Sequence, residues 1–73
     1  MSISTHTLMI AVKATALQTQ SLANQVRTAE DPELSYLEED LSSYSKALAE
    51  LKTMYTTLQA NSQNLPSFDE LTA

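Results

Sequence analysis

The side chains with chemical potential are few, and their spacing keeps them apart. One histidine, His6, lies near the N-terminus, and there is no cysteine. Glu38, Glu39 and Asp40 are consecutive, and Ser42, Ser43 and Ser45 follow them. Adjacent residues on a helix point in different directions, so these acids do not converge as a general acid and base. The serines have no histidine nearby in sequence to activate them. A transition-metal site gathers several Cys, His or carboxylate ligands, and a lone terminal histidine starts none. The expectation is a non-enzyme without metal or cofactor.

Composition narrows the class further. Among 73 residues there is no glycine. Phosphate-binding loops, dinucleotide folds and tight turns use glycine where the backbone needs positive φ, so those motifs are excluded and long helices with few turns are favoured. Nine acids against four bases give a net charge of −5. Lys13, Arg27, Lys46 and Lys52 are scattered and make no basic stripe, so neither nucleic acid nor an anionic membrane surface is an expected partner. No segment reaches the roughly 20 apolar residues of a membrane span. Leu8–Val12, with Ala14-Thr15-Ala16 behind it, imitates a secretion signal, but the run stops at Lys13 and no basic residue precedes it. A cytoplasmic location is inferred. Without disulfides or metal, a chain this short has a core worth only about 3–5 kcal/mol, which leaves a partner as the source of further stability.

The elements that carry these residues read as two helices. Leu34, Leu37, Leu41, Tyr44, Leu48, Leu51, Tyr55 and Leu58 recur at alternating spacings of three and four, a heptad seam. It places a helix at about 32–61, roughly 45 Å long. Asp31 suits its N-cap and Pro32 its first position, with Glu33 favoured by the helix dipole. A weaker seam, Leu8, Val12, Thr15, Thr19, Leu22, Val26 and Ala29, places a first helix at about 5–28, capped by Ser4 or Thr5. The turn, 29–31, is short, so the helices must be antiparallel neighbours. In the tail, 62–73, Pro66 bars continuation, and Ser67 and Glu70 have capping-box spacing. The tail either frays or forms a short turn anchored by Phe68 and Leu71. The fold is thus all-α: one domain over 1–73, an antiparallel two-helix hairpin with room for a short C-terminal turn.

A hairpin has one internal interface, and this one carries apolar residues beyond a single stripe. Tyr36, Ala47 and Met54 lie beside the second seam, and Met9, Ile10 and Leu17 lie off the first. Methionine and tyrosine are frequent at interfaces. Ile10, Leu17, Tyr44, Ala47, Leu51, Met54, Tyr55 and Leu58 are the candidates for a combined hairpin and partner surface. The pattern does not separate those two uses.

Asp31-Pro32-Glu33, then Tyr36-Leu37, then Lys46-Ala47-Leu48-Ala49-Glu50-Leu51 resemble the small co-chaperones of the type III secretion needle, the YscE/PscE/AscE/SsaE-like proteins. In that family a Pro-Glu pair opens the second helix, an aromatic and a leucine follow, and an Ala-Leu pair comes about ten residues later. The resemblance implies a cytoplasmic hairpin that pairs with a tetratricopeptide-like chaperone and, through it, keeps the needle subunit monomeric. Such a hairpin can self-associate when alone. Two alternatives stay open: the needle subunit itself, against which Pro66, Asp69 and Glu70 speak, and an unrelated homo-oligomer in which two hairpins make a four-helix bundle.

Overall fold

A computed structural model describes residues 3–61 and 64–73. Three helices follow one another: α1 (Thr5–Val26), α2 (Glu33–Ala60) and α3 (Phe68–Thr72). Among the described residues there is no strand. α1 and α2 pack along their length as an antiparallel hairpin, and α3 folds back against both, chiefly against α1. Ser62 and Gln63, where the sequence reading begins the tail, lie outside the described residues.

The start of α1 is satisfied locally. Ser4 Oγ accepts from the Thr7 amide at 3.1 Å, and the Ser4 carbonyl accepts from the Leu8 amide at 2.9 Å. The first bond pairs one of the donors that a helix start leaves without partners, and the second is the first intrahelical bond. α1 stops at Val26, because Thr28 and Ala29 both turn their amides onto the Gln25 carbonyl.

The second helix begins differently from the sequence reading. Pro32, not Asp31, is the N-cap, and it makes no side-chain cap bond because its ring carries no acceptor. The Asp31 carboxylate accepts instead from Ser35 Oγ at 3.3 Å, and the Leu34 amide finds the Glu30 carbonyl at 3.0 Å. The helix therefore starts one residue later than expected, with the Leu34 amide paired to the chain ahead of it.

Both seams face inward. Leu8, Val12 and Leu22 of α1 are buried, and Thr15, Thr19 and Val26 are half-buried between them. Thr19 Oγ1 donates to the Thr15 carbonyl at 2.7 Å, which lets a hydroxyl sit on the seam without an unpaired donor. On α2 the leucines at 34, 37, 41, 48, 51 and 58 are half-buried, Tyr55 is fully buried, and Tyr44 is 40% exposed.

The shape explains why so few residues are fully buried. The molecule measures 46 × 26 × 15 Å. Its least dimension is little more than the roughly 10–12 Å diameter of one helix with side chains, so the hairpin is a single layer. Its radius of gyration is 14.3 Å, against about 11 Å for a compact chain of this length. Its accessible surface is 5405 Å², against about 4,500 Å² for a compact monomer. Among the described residues a second layer forms at one end: Leu8, Val12, Tyr55 and Leu71 make a closed cluster, with Met9, Leu51, Leu58, Leu65 and Phe68 packed around it.

Candidate functional site

The eight candidate residues divide by position. Tyr55 belongs to the core, with its ring wholly covered and its hydroxyl donating to the Pro66 carbonyl at 2.6 Å. Leu51 and Leu58 pack against the same cluster and serve the hairpin. Ile10, Leu17, Tyr44, Ala47 and Met54 are exposed.

The exposed five form two separate surfaces. Ile10 and Leu17 lie seven residues apart on α1, on the side away from the seam, and Leu17 is 76% exposed. Ile3, which precedes α1, is also exposed. The sequence reading did not single out Ile3, and helical spacing could not have placed it, because it lies ahead of the helix. Ile10 and Leu17 edge a long open groove whose other lining residues include Ala16, Ala23, Leu48 and Leu71. The alanines make it shallow. At one end of the hairpin Met54 and Leu58 come together with Ile3 and Leu8 around a smaller hollow.

The other surface runs the length of α2. Glu33, Tyr36, Asp40, Ser43, Ala47, Glu50, Met54 and Thr57 recur at alternating spacings of three and four, and every one of them is exposed. This is a second heptad line, on the flank next to Leu37, Tyr44, Leu51 and Leu58. Carboxylates at 33, 40 and 50 alternate along it with the apolar side chains of Tyr36, Ala47 and Met54, and no Lys or Arg interrupts it. Lys52 and Gln59, which touch Phe68 and Pro66, lie across the seam from this line.

Such a line has a definite recognition chemistry. A row of like charges sets up a potential that draws in the opposite charge, and tyrosine and methionine between them supply area that gains by leaving water. A complementary partner presents Lys or Arg together with apolar hollows. Nothing in the line resembles a reaction centre: His6 is exposed on the first turn of α1, and Ser43 carries no partner that would activate it. Among the described residues no three of His, Asp and Glu gather where an ion would be held. No helix among them is long and apolar enough to cross a membrane.

A family model described as T6SS, Immune protein Tsi2-like matches residues 1–71. A search of the curated proteins finds no match. The family match covers both long helices and most of α3, and the chain belongs to the Tsi2-like family of type VI secretion immune proteins.

This membership overturns the resemblance to the type III needle co-chaperones. With it go the chaperone function, the tetratricopeptide-like partner and, through it, the needle subunit. The needle-subunit and homo-oligomer alternatives gain no support from it either. The reason lies in the residues that carried the resemblance. Pro32 and Glu33 open α2, Leu37 and Leu48 are seam positions, and Tyr36 and Ala47 lie on the exposed flank. Those are the ordinary needs of a helix start and a hairpin seam, and unrelated hairpins meet them with the same residue types.

Proposed function

We propose that this chain is an immunity protein of a type VI secretion system, which binds the system's effector and thereby blocks its toxicity. The observation that carries this reading is the family match over residues 1–71. The chain performs no catalytic step in it. Protection comes from occupancy: a small folded partner covers the effector surface that does harm.

The shape supports such a role. A single-layer hairpin leaves both of its faces and its outer flanks open, so much of its surface is free to meet another protein. The flank line of α2 is the best-formed docking surface on it, because charge and apolar area alternate there without a base. A standard protein interface takes about 800 Å² from each partner. A helix of 28 residues, about 42 Å long, provides a flank of that order. The place of action in this reading is the cytoplasm.

The test is co-expression with its cognate type VI effector. Cells carrying the effector alone are expected to stop growing, and cells carrying both are expected to grow, with the two proteins co-purifying. Growth arrest in the presence of the folded chain, with no complex formed, would remove this reading.

A further inference from the structure

α2 presents four residues at equivalent heptad positions: Leu34, Leu41, Leu48 and Tyr55. The three leucines are half-buried, and only Tyr55 is fully buried. The difference is the segment Leu65–Ala73. Leu65, Phe68 and Leu71 of this segment pack with Tyr55, Leu8 and Val12 at the end where α1 begins and α2 ends. Over Leu48 there is no such cover, and the groove lies open.

The segment is built to dock. Ser67 Oγ accepts from the Glu70 amide at 3.1 Å, an N-cap bond, and donates to the Glu70 carboxylate at 3.1 Å. The Pro66 carbonyl accepts twice, from Tyr55 Oη at 2.6 Å and from Gln59 Nε2 at 3.2 Å. The Lys52 ammonium stands 5.2 Å from the centre of the Phe68 ring. Yet α3 has five residues, far below the roughly 12 that an isolated helix needs, so it is helical only while docked. Its attachment is local, whereas α1 and α2 hold each other along their whole length. A unit with few anchors opens before the body that carries it.

The geometry points to Leu65–Ala73 as a latch on the hairpin groove. Closed, it plugs the Leu8–Val12–Tyr55 end and leaves a half-length groove, walled by Leu71 and Ala73, between Ile10, Leu17 and Leu48. Open, it exposes one continuous apolar groove from Tyr55 to Ala23. A helix that is to lie along the full groove must displace the latch. The chain thus holds its own C-terminal segment as an intramolecular competitor for that face. This does not rest on the effector reading, since the flank line of α2 lies across the seam from the latch.

Amide hydrogen exchange on the full chain tests it, followed across low urea concentrations. The amides of Glu70, Leu71 and Thr72 are expected to exchange at least about tenfold faster than those of Leu48 and Leu51, with little urea dependence, as in sub-global opening. Tyr55→Phe removes the hydroxyl and keeps the ring, and is expected to speed latch exchange by about threefold to tenfold. Phe68→Ala is expected to raise binding of a hydrophobic dye several-fold while circular dichroism stays helical. If the latch and mid-α2 amides share one rate and one urea slope, or if Tyr55→Phe leaves latch exchange unchanged, the latch is overturned. Should Phe68→Ala not fold, the exchange measurements on the native chain and Tyr55→Phe decide the matter alone.

Discussion

The Tyr55 hydroxyl donates to the Pro66 carbonyl at 2.6 Å across eleven residues of chain, tying the middle of the last heptads of α2 to the segment that covers them. The ring itself has no exposed surface. One side chain thus fills the core and pins its lid.

Tyr55→Phe isolates the second of these roles. The ring stays and the hydroxyl goes, leaving the Pro66 carbonyl with Gln59 alone. A net loss of about 1 kcal/mol is expected, the usual worth of one such bond. In a small core worth about 3–5 kcal/mol that is a large share. Urea unfolding followed by circular dichroism is expected to show a lower midpoint at an unchanged slope, and an unchanged midpoint would show that the bond contributes nothing net.

Leu8 and Leu17 are the same residue type on the same helix, nine residues apart, with opposite surroundings. Leu8 is 4% exposed in the closed cluster, and Leu17 lies open on the back of α1. Leu8→Ala is expected to cost about 2–5 kcal/mol, enough to leave much of the chain unfolded, through lost burial and the cavity left behind. Leu17→Ala is expected to stay within about 0.5 kcal/mol of the parent. Thermal melts of the two variants side by side check this, and comparable losses would mean that Leu17 is covered in solution.

The contrast also shows what spacing can and cannot disclose. The alternation of three and four places Leu8, Val12 and Leu22 inward on α1 and the leucines of α2 opposite them, because a helix fixes direction by residue count. It does not distinguish Tyr44 from Tyr55. Both lie on the seam, yet one is 40% exposed and the other is covered, because cover at Tyr55 comes from α3. Whether that segment docks depends on Phe68 and Leu71 meeting residues some 60 positions away, which no local pattern states. The flank line of α2 was legible only in part. Tyr36, Ala47 and Met54 stood out as surplus apolar residues, whereas Glu33 was read as a helix-start acid and neither Asp40 nor Glu50 was placed in the same row. The secretion system was not legible at all, since a proline at a helix start and a leucine seam serve unrelated helical hairpins equally well.

Two serines hold the helix starts, and their removal should separate the ends of the molecule. Ser4 Oγ accepts from Thr7, and Ser67 Oγ accepts from Glu70. Ser4→Ala is expected to cost about 0.5–2 kcal/mol, the range for losing an N-cap. Ser67→Ala carries the same local penalty but falls on a helix that persists only by docking. It is therefore expected to show as faster amide exchange at Leu71 and Thr72 with little loss of total helicity. Equal loss of helicity in both variants would argue that α3 and the hairpin melt as one.

The flank of α2 offers a two-way test of effector recognition, because its charged and apolar members act at different stages of binding. Tyr36 is 69% exposed and Met54 is 49% exposed, so truncating either leaves the fold nearly untouched. At a buried interface, removing an aromatic anchor costs about 2 kcal/mol or more, which at 1.4 kcal/mol per decade is about thirtyfold in Kd, chiefly through faster dissociation. Tyr36→Ala is expected to do this, and Met54→Ala to weaken binding less. Asp40 and Glu50 have no basic neighbour along the row. Their reversal, Asp40→Lys with Glu50→Lys, is expected to slow association severalfold and to flatten its dependence on salt, since rim charges steer the encounter more than they hold the complex. Surface plasmon resonance against the purified effector at two salt concentrations measures both rates. If Tyr36→Ala and the double reversal leave both rates unchanged while Ile10→Ala or Leu17→Ala disrupts binding, the effector sits on the groove beside α1 and not on the flank of α2.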